Sequence, residues 1–252
     1  MDLSTKDSWA KIERARFHLS EIYNNFYGYI DGDLLDIPTL KIPNFEGGYI
    51  SVVIKQLPVD SIVLPLVLGD AIHNYRSALD YLWWQFAKKK LGRDPTDREA
   101  PKVQFPLLSR EDDWGRRYFD YVFAPDVEYI KKYQPFNAGN GEYSALEALR
   151  EISNHDKHRT LNPLMGMANE SALNNLSKFN VKVEVMNLPD VLEPGVEVFR
   201  VHTEIEAINV ECDIEVYFKV YLAVQNGWNI LTAFEAIDEQ CEKILKEAEK
   251  ML

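Results

Sequence analysis

"GDAIHNYRSALDYLWWQ", Gly69 to Gln85, is the stretch on which the fold turns. Stepped at about 100° per residue, Leu68, Ile72, Tyr75, Leu79, Leu82 and Phe86 fall on one side, the predicted core face of a central helix. Asp60 and Ser61 offer its start signal; Gly92 and Pro95 end it after about thirty residues. The opposite side collects Asp70, His73, Asn74, Ser77, Asp80, Tyr81 and Trp84, with Arg76 at its border. A plain solvent face would carry Lys and Glu, so this stripe is expected to line a cleft. Asp70 and His73 are three apart and Arg76 and Asp80 four apart, spacings at which side chains on one helix meet.

A second helix is expected over about 143–158, with Ala145, Leu146, Leu149 and Ile152 inward and Asp156 on the same face. A carboxylate on an apolar stripe needs a partner, because an unpaired buried charge is costly. Arg76 and His73 are its expected partners, and Arg159 is placed to pair with Asp70 or Asp80. The cleft would lie between the two helices.

Working outward, residues 7–26 repeat Trp9, Ile12, Ala15, Leu19, Ile22, Tyr23 and Phe26 at helical spacing. "GGYISVVIKQLPVD" carries a β-branched run bounded by glycine and proline, a strand signal. Short helices are expected at 112–122 and 125–133, and "QPFNAGNGE" breaks the chain before the second helix. Residues 178–225 alternate β-branched and polar positions, which predicts two to four antiparallel strands. At the end, Ile230, Phe234, Ile237, Cys241, Ile244, Ala248 and Leu252 form one apolar face of a final helix. The expected fold is therefore α+β: a helical core built on a long central helix, a small antiparallel sheet and a C-terminal amphipathic helix. It reads as a single domain over 1–252, with a helical core (1–165), a strand-rich part (166–226) and the last helix (227–252).

The chain has 252 residues, 46% hydrophobic and 27% charged, enough apolar material for a sizeable core. It has no run of about 18 apolar residues, and "MDLSTKDSW" lacks a signal-peptide profile, so a cytoplasmic protein without membrane partners is expected. Cys212 and Cys241 lack metal-type spacing and read as small core residues. A net charge of -12 opposes long-range attraction to nucleic acid, so any RNA contact must be local. The one basic run, "KKKLGR", suits the negative end of the central helix. His18 and His202 stand alone and are expected to be exposed or hydrogen-bonded; Trp83 and Trp228 read as core aromatics.

The ordered blocks "GDAIHNYRSALDYLWWQ", "VQFPL", "IKKYQPFN" and "LEALREISNHDKHRTLNP" resemble a widespread bacterial and phage family. Its members share a GD-x-x-HN-x-RSALD helix, a QFP loop, a QPY-like turn and a final N-x-DKHR stretch. The likeness spans about residues 60–165; it implies a shared polar site and brings no assigned reaction. "RSALDY" also resembles the HEPN ribonuclease signature, in which Arg, a polar residue, three more positions and then His share one helix. Arg76 and Ser77 match, while Tyr81 stands where the His belongs; "REISNH" gives a second frame, Arg150 to His155.

Three readings follow. The first is RNA phosphodiester cleavage without metal or other cofactor, with Arg76 as anion binder, His73 and His158 as acid/base candidates, and Asp80 and Asp156 as orienting carboxylates. Asp70, Asn74, Tyr81, Trp84, Lys157 and Arg159 would complete its binding wall. The second is metal-dependent hydrolysis, resting on Glu151, His155 and His158 at i, i+4, i+7. In the third, the charged cluster is a buried ion network that fixes how two helices dock, and the chain is a non-catalytic module binding a protein partner or a second copy. Trp84, Trp114, Arg116, Arg117 and Tyr118 would then form the contact region. "NPLMGMANE" is either a lid or a linker.

Overall fold

The computed structural model describes residues 3–26, 30–31, 34–37, 39–56, 63–116, 119–138, 144–158, 164–166, 182–186, 193–202, 218–222 and 230–252. The described residues form six α-helices: α1 Lys6–Phe26, α2 Val63–Leu91, α3 Glu111–Arg116, α4 Ala124–Lys131, α5 Ala145–His158 and α6 Ile230–Ala248. Among the described residues there are eight strands: β1 Ile30–Asp31, β2 Leu34–Ile37, β3 Thr39–Asn44, β4 Tyr49–Ile54, β5 Leu164–Gly166, β6 Lys182–Val185, β7 Glu197–His202 and β8 Phe218–Leu222. The class is α+β. Among the described residues no helix is long and apolar enough to cross a membrane.

The backbone divides into two compact units. The first takes Met1–Glu21, Leu66–Leu161 and Thr232–Leu252; the second takes Ile22–Pro65 and Asn162–Leu231. The strand-rich unit is thus drawn from both sides of α2, not from 166–226 alone. Its strands form two four-stranded antiparallel sheets, ordered β1-β2-β8-β5 and β3-β4-β7-β6. The expected strand within "GGYISVVIKQLPVD", Tyr49–Ile54, pairs with β7 so that Ile50 faces Val201 and Val52 faces Phe199. Alternation signals a strand but not its distant partner. The His202 ring donates to Glu184 at 3.0 Å, and that of the buried His18 to Glu21 at 3.0 Å, so both lone histidines are hydrogen-bonded.

In the helical unit α2 is the centre. Leu68, Ile72, Tyr75, Leu79, Leu82 and Phe86 are all buried, as the 100° stepping predicts. Gly92, at a φ of 70°, closes the helix in the left-handed conformation that L side chains resist. On α6, Phe234, Ile237, Cys241, Ile244 and Ala248 form the buried stripe. Polar contacts fix the helices together. The Tyr75 hydroxyl donates to Asp238 at 2.9 Å, and the Arg16 guanidinium of α1 also reaches Asp238 at 2.9 Å. Thr5 and the Trp9 indole both donate to Glu249 at 2.7 Å.

The "KKKLGR" run does more than meet the helix dipole. Lys89 pairs with the buried Asp126 of α4 at 3.1 Å and donates to the Met251 carbonyl at 2.7 Å; Lys90 donates to the Val122 carbonyl at 3.0 Å. Trp114, expected on a contact surface, is instead buried, its ring 4.6 Å from that of Phe119 and 6.0 Å from that of Phe136. An aromatic ring of that size supplies more free energy inside than outside. The neighbouring Arg117 and Tyr118, the Arg116 side chain, Cys212 and Trp228 lie outside the described residues, as does most of "NPLMGMANE".

Three phenols couple this core to pH. Burial pushes Tyr75 and Tyr129 above the ordinary tyrosine range, aided by Asp238 for Tyr75 and by Tyr133 for Tyr129. Burial and the bond to Glu247 push Tyr133 up to about 12. Each is protonated in the folded state, whereas unfolded tyrosine ionises near ~10. Their stabilisation is therefore complete below that pH and is lost as pH rises through the raised values. Urea denaturation should give a lower midpoint at about pH 11 than at about pH 8; equal midpoints would show that these phenols ionise freely in the fold.

Candidate functional site

The polar stripe of α2 resolves into two parts. At its centre, Arg76 and Asp80, one turn apart, both grip the main chain of Phe105. Arg76 Nη2 donates to the Phe105 carbonyl at 2.6 Å and to Asp80 Oδ1 at 3.3 Å. The same Asp80 oxygen accepts the Phe105 N–H at 2.8 Å. Phe105 itself is fully buried, with its ring 6.2 Å from that of Trp83. Gln134, also buried, holds the next residues: its amide donates to the Pro106 carbonyl at 3.0 Å and its oxygen accepts the Leu108 N–H at 3.1 Å. An extended segment cannot satisfy its own backbone groups, and burial would leave them unpaired at about 1–3 kcal/mol each. The side chains of "RSALD" and "QPF" supply the missing partners for "QFPLL".

The second part lies in the open. Asp70, His73 and Tyr81 are exposed, and Ser77 and Trp84 are half-buried. His73 Nε2 is 3.4 Å from Ser77 Oγ, and the Trp84 indole donates to Asp94 at 3.2 Å. Asn74 is turned inward: its amide donates to the Asp70 carbonyl at 2.7 Å, a bond within α2 rather than one to a ligand.

α5 starts from an N-cap, in which the Ser144 hydroxyl accepts the Glu147 N–H at 3.1 Å. Leu146, Leu149 and Ile152 are buried, as expected, and Ser109 donates to Glu147 at 2.8 Å, tying α5 to the end of the clamped segment. Asp156 does reach α2, but at Gly69, one turn before His73. A Cβ on Gly69 would sit 2.7 Å from Asp156 Oδ1. Among the described residues Asp156 makes no hydrogen bond or ion pair with His73 or Arg76, because Arg76 is committed to Phe105 and Asp80. The carboxylate is exposed and needs no buried counter-ion. The side chains of Lys157 and His158, and all of Arg159, lie outside the described residues.

Glu151 lies 3.6 Å from Arg150, whose guanidinium also bonds Glu147 at 3.2 Å, so the Arg150 of the second ribonuclease frame is engaged along its own helix. Among the described residues no three His, Cys, Asp or Glu side chains converge as a metal centre. Sequence reasoning missed Gly69, Phe105 and Gln134. Their signal was present: a glycine inside a strong helix pattern marks a close approach, and "QFP" and "QPF" mark backbone that no helix or sheet would satisfy.

Substituting Gly69 separates the two consequences of that glycine. Gly69→Ala gains about 1 kcal/mol of helix propensity but drives its methyl into Asp156. It should be neutral or destabilising by itself and stabilising by about 1 kcal/mol in an Asp156→Ala background. Equal effects in both backgrounds, by chemical denaturation, would show that α5 does not press on α2 there.

No protein-family model, curated protein or solved structure matches the chain.

Proposed function

We infer that the protein is a non-catalytic interaction module whose charged α2 cluster is architecture. The supporting observation is the Phe105 clamp: Arg76 and Asp80, the residues with the strongest claim to phosphate binding and orientation, are spent on main-chain atoms. A guanidinium that left Phe105 to hold a phosphate would strand a buried carbonyl, which costs more than a solvent-exposed ion pair returns.

The competing reading, metal-independent RNA cleavage, keeps one observation in its favour. His73 is exposed beside Ser77 on the α2 face, where a general base could act. The two readings separate in one assay. Purified protein incubated with mixed RNA, with and without chelator, should give no turnover. Chelator-resistant cleavage that His73→Ala abolishes in a folded variant would replace the module reading with the nuclease. Chelator-sensitive hydrolysis would replace it with metal chemistry.

A further inference from the structure

We propose that Lys11, Arg14 and Phe17 of α1, with Tyr81 of α2, form a docking strip for a short acidic segment of a partner protein that carries aromatic or large aliphatic side chains. The proposal rests on the module reading and names the partner class. Two large rings stand in solvent here: Phe17 is 49% exposed and Tyr81 42%. Each carries a cation. Lys11 Nζ lies 5.8 Å from the centre of the Tyr81 ring, and the Arg14 guanidinium carbon 4.8 Å from that of Phe17.

Neither cation has a carboxylate within ion-pair distance among the described residues. The contrast is on the same helix, where Arg16 meets Glu13 and Asp238 at 2.9 Å and also pairs with Glu242. In a chain with 40 acids and 28 Lys and Arg, two neighbouring cations left to aromatic rings are a local reversal of sign. They lie three residues apart, with Phe17 three further on, so the strip runs continuously from α2 over the outer face of α1.

The chemistry selects among anions. Asp7 stands one turn before Lys11 and Glu21 one turn after Phe17, so acids close both ends of the strip on α1. A nucleic-acid strand with a charge at every nucleotide would run past those acids and against a net charge of -12. A peptide can place carboxylates at the two cations and nowhere else, and cover the rings with its apolar side chains. Exposed ion pairs contribute little each, so the rings carry the affinity and the cations the choice of partner.

The test is a random peptide library displayed on phage and selected against the full chain. Selected peptides are expected to place Asp or Glu next to Phe, Trp or Leu. Their affinity should fall at least about tenfold on Tyr81→Ala, and again on joint Lys11→Glu and Arg14→Glu. Peptides with their acids changed to lysine should regain binding to the charge-reversed protein, a rescue that unfolding could not produce. Peptides without that pattern, or binding indifferent to all three substitutions, would overturn the proposal. Single-stranded RNA bound in a manner lost with the same variants would overturn it in favour of nucleic acid. Absence of peptide binding would overturn the strip and leave the module reading standing, since that reading is tested separately by turnover in the RNA assay.

Discussion

Arg76→Ala should lower the free energy of unfolding by about 3 kcal/mol. The truncation removes the donor that satisfies the Phe105 carbonyl and leaves Asp80 with its charge uncompensated beside a buried segment. Both side chains keep some solvent access, 18% for Arg76 and 33% for Asp80, which holds the loss below that of a fully buried pair. Arg76→Lys should recover part of it, because an ammonium can still reach one of the two oxygens that Nη2 serves. Asp80→Asn should be milder still, near 1 kcal/mol, since an amide oxygen can accept the Phe105 N–H. The measurement is equilibrium urea unfolding of the three variants. A fully stable Arg76→Ala protein would mean that the guanidinium is free to bind a ligand, and would return Arg76 to the role its motif suggested.

A loss at least as large, about 3–5 kcal/mol, is expected for Lys89→Met. Asp126 is 1% exposed, and Lys89 is its only ion-pair partner among the described residues. Methionine fills much of the lysine's volume, so the loss reports charge rather than packing. It also releases the Met251 carbonyl, and with it the link from α2 to the end of the chain. The double replacement Lys89→Met with Asp126→Leu should recover most of the stability, because a well-packed apolar pair often replaces a buried ion pair without loss. Thermal unfolding of the single and double variants checks this. No recovery in the double variant would show that the pair specifies how α4 docks on α2.

The two predictions mark what could be read in advance. Helical spacing alone placed Leu68 through Phe86 inside, because a buried stripe is a one-dimensional pattern and every residue of α2 obeys the same rotation. The same reasoning put Arg76 and Asp80 close together, as their separation of four residues requires. It could not say what they hold. Their shared target, Phe105, lies beyond the end of α2 in the chain, and no periodicity marks which main-chain atoms a side chain will meet. Asp156 meets α2 at the Gly69 backbone, a notch set by the packing of α5 that no spacing in the sequence marks. The module reading expects Trp114 on an aromatic and basic contact surface, whereas its ring is buried against Phe119 and Phe136.

By itself, then, the order of amino acids determined the α+β class, the central helix and its buried face and the apolar stripe of α6, because each depends on neighbours within a few turns. Tertiary structure alone decided that strands on both sides of α2 share sheets, that Lys89 reaches Asp126, and that the polar centre of α2 clasps an extended segment. Those outcomes depend on which distant backbone groups lack partners once the chain is compact, and buried N–H and C=O groups take the nearest side chain able to satisfy them.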